Sequence, residues 1–167
     1  MHKMTEDNLK AAFAGESQAH MRYLAFADKA EREGFSNVAR LFRAVSFAEQ
    51  AHATGHLRAL AGIGGTVENL TEAIGGENYE VDEMYPAFIA VAEMQEEKQA
   101  LRTMNYALEA EKVHAAMYQE ARQSVKAGQD VELGTIHICE VCGYTVEGDA
   151  PDRCPLCNAP KKKFRAF

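Results

Sequence analysis

The sequence predicts a mainly helical protein, a four-helix bundle followed by a small metal-stapled β module. Three observations carry this expectation. Residues 5 to about 127 are rich in Ala, Glu, Leu, Met, Gln and Lys and contain a single proline, Pro86. The two halves of that region repeat one arrangement of acids and histidines. All four cysteines fall in the last 29 residues, as two C-x-x-C pairs.

Composition narrows the classes. Apolar residues make up 47% of the chain, enough for a real core and too many for a disordered protein. With 25 acidic against 18 basic residues the formal net charge is −7. That argues against nucleic acid as a partner, because phosphate contacts need a basic surface. No apolar run approaches the ~18 residues of a membrane span. The start, MHKMTEDNLKAAF, lacks the apolar stretch of a signal peptide. A soluble, cytoplasmic protein without membrane contact is expected.

Along the chain, Thr5 is expected to cap the first helix and Gly34 to close it. Ser36 is expected to cap a second helix that runs to about Gly62. A loop, Gly62-Ile63-Gly64-Gly65-Thr66, leads to a third helical pattern from about Val67, with an interruption expected at Gly75-Gly76. From Glu77 to Lys126 no strong breaker occurs, yet fifty residues of unbroken helix would span ~75 Å. A turn must be hidden there, and the repeat locates it. Glu49-x-x-His52 follows Glu16 by 33 residues, and Glu111-x-x-His114 follows Glu77 by 34. The first pair folds back at Gly34, so the second should fold back near residues 94–97. Two antiparallel helix pairs make a four-helix bundle. Residues 1–127 are therefore expected to form the bundle, 128–133 a linker and 134–167 the β module. The module is too short to hold itself together by a core alone.

The strongest chemical signal lies on the bundle's apolar stripes. At ~100° per residue, Glu16, His20 and Tyr23 share a face with Leu9, Phe13 and Ala27. Glu49, His52 and His56 align with Val38, Phe42, Val45 and Leu60. Glu77 and Glu80 align with Ala73, Met84, Ala87 and Val91, while Glu111, His114 and Tyr118 align with Ala100, Met104 and Ala107. An unpaired carboxylate in a core costs several kcal/mol, so five of them need compensation. Two metal ions would supply it. The arrangement of two E-x-x-H motifs plus acids from the other two helices is that of di-iron carboxylate bundles. Iron or manganese suits such a carboxylate-rich site better than zinc. His20 and His56 are expected one turn beyond the ligands, as supporting or packed residues. Tyr23 could hydrogen-bond a ligand carboxylate or simply fill the core.

Cys139-x-x-Cys142-Gly143 and Cys154-x-x-Cys157-Asn158 read as two metal knuckles. After each pair the chain must turn so that backbone amides point at sulfur. Gly143 and Asn158 are the residue types that tolerate the positive φ required. Zinc and iron both fit four thiolates.

The order GESQAHMRY, E-x-x-H, GENYE with DEMYP, E-x-x-H and two cysteine knuckles resembles the rubrerythrin family over essentially the whole chain. The resemblance implies a ferritin-like bundle with a non-haem di-iron site, joined to a rubredoxin-like domain. It implies Glu16, Glu49, His52, Glu77, Glu80, Glu111 and His114 as di-iron ligands, and Cys139, Cys142, Cys154 and Cys157 as ligands of one further iron. It also implies a role near the site for Tyr85, in Glu83-Met84-Tyr85-Pro86. An ideal helix puts Tyr85 about 140° from Glu80, so a local bulge or a kink at Pro86 is needed. The sequence departs from the family at Glu96, where the turn often has Gly, and at Asn158, where the second knuckle usually has Gly.

The implied function is a peroxidase in oxidative-stress protection, reducing hydrogen peroxide to water with electrons entering through the rubredoxin-like iron. The implied donors are a rubredoxin or similar protein and its NAD(P)H-dependent reductase. One iron is expected to exchange Glu80 for His52 when the oxidation state changes, so reduced and oxidised crystals should differ in iron position. The alternatives are a ferritin-type ferroxidase or iron-storage protein, for which an electron-entry module has no purpose, and a non-enzymatic zinc-ribbon interaction protein. Helix four should carry the chain ~20 Å beyond the site, and the linker could reach ~36 Å if extended. A homodimer or larger assembly is therefore expected, each module resting on the partner's bundle. Mixed dimers of Cys154→Ser and Glu111→Ala chains should then keep one intact route.

Overall fold

The computed structural model describes residues 1–167. The chain divides into two compact units, Met1–Gly64 and Gly65–Phe167.

The first unit is an antiparallel hairpin of α1 (Lys3–Arg32) and α2 (Ser36–Ala59). The residues buried in it are small: Ala19, Ala27, Ala30, Ala39, Ser46 and Ala53. Small side chains let the two backbones approach closely, so the larger apolar residues lie outside the seam. Phe26 is 46% exposed, Val38 44% and Val45 36%. α1 begins at Lys3 behind His2, not behind Thr5, and no side chain caps it. Ser36 is the first residue of α2, and its hydroxyl donates to Glu31 Oε1 at 2.9 Å. Arg43 Nη1 meets the same carboxylate group at 2.9 Å, so Glu31 ties the two helices beside the turn. Gly34, at φ +84°, sits at the turn itself, and the Phe35 amide reaches back to the Ala30 carbonyl. That closure satisfies carbonyls at the end of α1. α2 ends at Ala59, short of Gly62, with Ala61 in the left-handed region at φ +56°.

The second unit holds α3 (Thr66–Tyr79), a π-helical turn (Glu80–Met84), α4 (Tyr85–Met94) and α5 (Lys98–Lys126). Helix runs straight through Gly75-Gly76, where an interruption was expected; nothing lies within 4 Å of either Cβ position. The hidden turn falls at residues 95–97, inside the stretch the repeat indicates. Glu96 takes it at φ +57°, and the Glu97 amide reaches the Ala92 carbonyl at 2.9 Å, as Phe35 reaches Ala30 in the first unit. α3, the π turn and α4 all pack on α5.

After α5 the chain turns at Gly128 and enters a three-stranded antiparallel sheet, order β2-β1-β3, of β1 (Ile136–Cys139), β2 (Thr145–Glu147) and β3 (Phe164–Ala166). Ile138 pairs with Thr145 on one side and Arg165 on the other. Cys139, Cys154 and Ala159 form its small core, flanked by Tyr144, Leu156 and Phe164. The sheet does not stand off beyond the end of α5, as the head-to-tail expectation required. β2 packs against α5 of its own chain. Residues 127–135 are irregular, and a segment of that length is long enough to bring the sheet back along the helix.

Candidate metal centres

Three groups of side chains converge closely enough to hold metal. In the first unit, α1 supplies Glu16 and α2 supplies Glu49 and His52; their ligand atoms lie within 4.8 Å of one another. Glu49 Oε2 is 3.0 Å from His52 Nδ1, the expected product of an i, i+3 pair on one helix face. Hydrogen bonding to His52 first, and to Glu16 next, holds the Glu49 carboxyl below the usual carboxylate range. The His52 side chain is 59% exposed and that of Glu49 16%. This stripe, expected inside a core, is therefore open on the α2 side.

The second unit repeats the group. α3 supplies Glu77, and α5 supplies Glu111 and His114. Glu111 Oε2 lies 2.6 Å from His114 Nδ1, and Glu77 Oε2 lies 4.0 Å from the same nitrogen. Glu77 Oε2 is buried without a hydrogen-bond partner. Burial, then hydrogen bonding to Glu111 and the charges of Glu111 and Glu80, push the Glu77 carboxyl up to about 7. Glu80 is also raised, by burial and by Glu111, with His114 opposing. Glu80 stands outside the close group of three, within its electrostatic reach.

The π turn explains Tyr85. It begins at Glu80 and ends at Met84, so the helix is rewound between Glu80 and the tyrosine. Burial and then the charges of Glu80, Glu111 and Glu77 raise the Tyr85 phenol above its ordinary value. Tyr23 instead joins an aromatic cluster, 6.0 Å from Phe42 and 6.3 Å from Phe26. His20 Nδ1 lies 2.9 Å from both the carbonyl and the hydroxyl of Ser46, and neither His20 nor His56 joins a metal group.

The third group is Cys139, Cys142, Cys154 and Cys157. Sulfur separations are 3.6 Å for Cys139–Cys157 and 3.5 Å for Cys142–Cys154, near the ~3.8 Å edge of a tetrahedron with ~2.3 Å metal–sulfur bonds. Gly143 at φ +79° and Asn158 at φ +61° make the two knuckle turns, so Asn does here what Gly does in the first knuckle. Backbone amides point at sulfur: burial raises the Cys154 thiol, but the amides of Cys157 and Leu156 and the Cys142 and Cys157 sulfurs outweigh it and leave it low.

These residues fit iron. A buried carboxylate oxygen without a partner, a half-site of acceptors and a tetrahedron of thiols all call for cations. The family model for rubrerythrin matches residues 7–122, and that for the rubrerythrin rubredoxin-like domain matches residues 137–165. The chain belongs to the rubrerythrin family. Rubrerythrin-2 of Clostridium acetobutylicum is 43% identical, with 98% of this chain and 97% of that protein covered. Nigerythrin of Nitratidesulfovibrio vulgaris is 36% identical, covering 98% and 86%. A solved structure of nigerythrin in its fully reduced, all-ferrous state aligns with TM-score 0.56 at 35% identity, over 98% of this chain and 86% of that one. The rubrerythrin fold is thus a ferritin-like four-helix arrangement followed by a rubredoxin-like sheet, and its cofactors are a di-iron carboxylate site and a four-cysteine iron. At family level the chain is an oxidoreductase of oxidative-stress defence. No helix is long and apolar enough to cross a membrane.

One residue escaped the sequence reading. Thr145 lies on β2, is 4% exposed and touches His114. A lone threonine in a three-residue strand carries no periodic signal.

The raised carboxyl of Glu77 has a consequence for the metal-free chain. A carboxyl whose folded pKa exceeds its unfolded value supports the fold below about 4.5, and that support is lost as the pH rises through about 7. Glu77→Gln is expected to raise the melting midpoint of metal-free protein at pH 8 and to leave it unchanged at pH 4. Thermal melts of both chains at the two pH values measure the difference; equal midpoints at pH 8 would refute it.

Proposed function

We propose that the chain is a peroxidase reducing hydrogen peroxide to water, with electrons supplied by a rubredoxin-like donor fed by an NAD(P)H-dependent reductase. The observation that carries this reading is the contact between the four-cysteine sheet and the half-site on α5 within residues 65–167. A ferroxidase or storage protein has no use for an electron-entry module beside its carboxylates.

In this reading Glu16, Glu49, His52, Glu77, Glu80, Glu111 and His114 hold two irons, and Cys139, Cys142, Cys154 and Cys157 hold a third. The domain scheme is a bundle-forming part at 1–127, a linker at 128–133 and a module at 134–167. When bound, the iron pair supplies two electrons at one place for O–O cleavage, and the four-cysteine iron relays them singly. The chain's own residues do the rest. Glu49 and Glu111, each followed one turn later by a histidine, fix the geometry of the pair. Tyr85, raised by burial and the charges of three carboxylates, keeps its phenolic proton beside Glu80.

The proposal includes a homodimer in which the α1–α2 hairpin of one chain completes the bundle with α3–α5 of the other. Its support is a length. A ferritin-like bundle joins its second and third helices by one long crossover. Glu49 lies ten residues before the end of α2, and Glu77 eleven residues after the start of α3. Levelling the two half-sites in that topology takes about 31 Å. Residues 60–65, fully extended, reach about 24 Å. Exposed apolar side chains on both units, among them Phe26, Val38, Phe88 and Val91, supply faces for the pairing.

Steady-state peroxide consumption with a rubredoxin donor, set against iron uptake from Fe(II) and O₂, tests the activity. Sustained turnover with loading that stops near three irons per chain is expected. Loading far beyond that without donor-dependent turnover would favour the storage reading.

A further inference from the structure

The hydroxyl of Thr145 has two partners. Its Oγ1 lies 3.0 Å from the Gly143 carbonyl and 2.8 Å from His114 Nε2. A hydroxyl carries one hydrogen, and a carbonyl can only accept. The hydrogen therefore goes to Gly143, and the oxygen must receive one from His114. That makes Nε2 the protonated nitrogen of the imidazole. In the neutral imidazole that a metal requires, Nδ1 is then left with its lone pair, on the side of Glu111 Oε2 at 2.6 Å and Glu77 Oε2 at 4.0 Å. Once Glu77 and Glu111 are ionised, three acceptors converging at these distances are stable around a cation and repel one another without it.

The surroundings protect the arrangement. Thr145 is 4% exposed. The bond lies in the wall of a cleft of about 300 Å³ whose other lining residues are Met117, Tyr118, Ile136 and Ile138, apolar except for the tyrosine tip. Gly143 is the knuckle glycine, and a Cβ built on it would lie 3.9 Å from the Ala110 methyl. The peptide next to Cys142 is thereby seated on α5 one turn before His114.

We propose that Thr145 is a positioning residue: it accepts the Nε2–H of His114 and so turns the Nδ1 lone pair toward the metal, while its own hydrogen bond to Gly143 fastens the four-cysteine knuckle to that ligand. The proposal rests on the reading of His114 as an iron ligand. A partner of this kind fixes the tautomer and ring orientation of a ligating histidine, and its loss costs about 10–100-fold in metal affinity.

The test uses full-length iron-loaded protein carrying Thr145→Val or Thr145→Ser. Iron retained at the pair is measured against a chelator, and the exchange in D₂O of the paramagnetically shifted imidazole N–H is followed by proton NMR. Val removes the acceptor and keeps the shape. It is expected to lower retention at least about 10-fold and to speed exchange, with the four-cysteine visible band unchanged. Ser is expected to restore both. If Val disturbs the sheet and the visible band fades, Thr145→Ala is read by the same two measurements. Wild-type retention and exchange in Val or Ala, or a loss that Ser does not restore, would overturn the proposal. Failure of the wild-type chain to hold an iron pair would instead overturn the reading of the site.

Discussion

Glu111→Ala is expected to abolish peroxide reduction while the four-cysteine iron and its visible absorbance remain. The expectation follows from where Glu111 stands. It meets His114 Nδ1 at 2.6 Å, hydrogen-bonds Glu77, and contributes to the raised values of Glu77, Glu80 and Tyr85. Removing it takes away a charge and the part around which the other four are arranged. The four cysteines close their own tetrahedron and need none of it. Glu49→Ala should behave alike from the first unit, where Glu49 links Glu16 and His52. The loss should exceed about 10³-fold in turnover, since residues that act as a unit fail together. Turnover at the wild-type rate in either variant, with iron content measured in parallel, would remove that glutamate from the site.

Mixed dimers are expected to separate sharply according to which glutamate is changed. Cys154→Ser disables the module. Thr145 and His114 place the module and Glu111 in one chain, whereas the assembly proposed above would take Glu49 from the other. A dimer of Cys154→Ser with Glu49→Ala then retains one complete set, with about half the wild-type turnover. A dimer of Cys154→Ser with Glu111→Ala retains none. The head-to-tail arrangement expected from sequence, with unshared bundles and modules on the partner, gives activity in both. Unshared bundles with modules on their own chains give activity in neither. Each pattern is read by peroxide turnover of purified heterodimers, and any pattern other than the first overturns the proposed assembly.

Much of this architecture is legible in the residues. The duplicated E-x-x-H spacing located a turn with no glycine and no proline, because two copies of one hairpin must fold back at equivalent places. The knuckles were legible because thiolate tetrahedra demand a fixed local backbone, down to the positive φ at Asn158. Helix starts were not. His2 and Phe35 precede α1 and α2 without a capping side chain, so the capping propensity of Thr5 and Ser36 pointed three residues and one residue astray. The position of the module was not legible either. It depends on tertiary contact between β2 and α5, and nothing in a linker's composition records where its far end lands. Thr145 shares that reason: its role exists only after the sheet has come to rest on the helix.

The π turn accounts for the one residue by which the two hairpins differ. From the left-handed residue of each hairpin turn to the glutamate of the following motif, the two halves agree: Gly34 to Glu49 and Glu96 to Glu111 are both fifteen residues. Before the turn they do not. Glu16 stands eighteen residues ahead of Gly34, and Glu77 stands nineteen ahead of Glu96. The surplus residue lies in the arm that carries the π turn, at Glu80–Met84, and a π turn is what an α-helix becomes when it absorbs one residue without losing its course. The second hairpin therefore matches the first in spacing but for one residue more, taken up in the π turn. That one extra residue rewinds the helix just before Tyr85, whose counterpart eleven residues ahead of the first turn is Tyr23; the same phenol stands under the charge of three carboxylates in one half and in an aromatic cluster in the other.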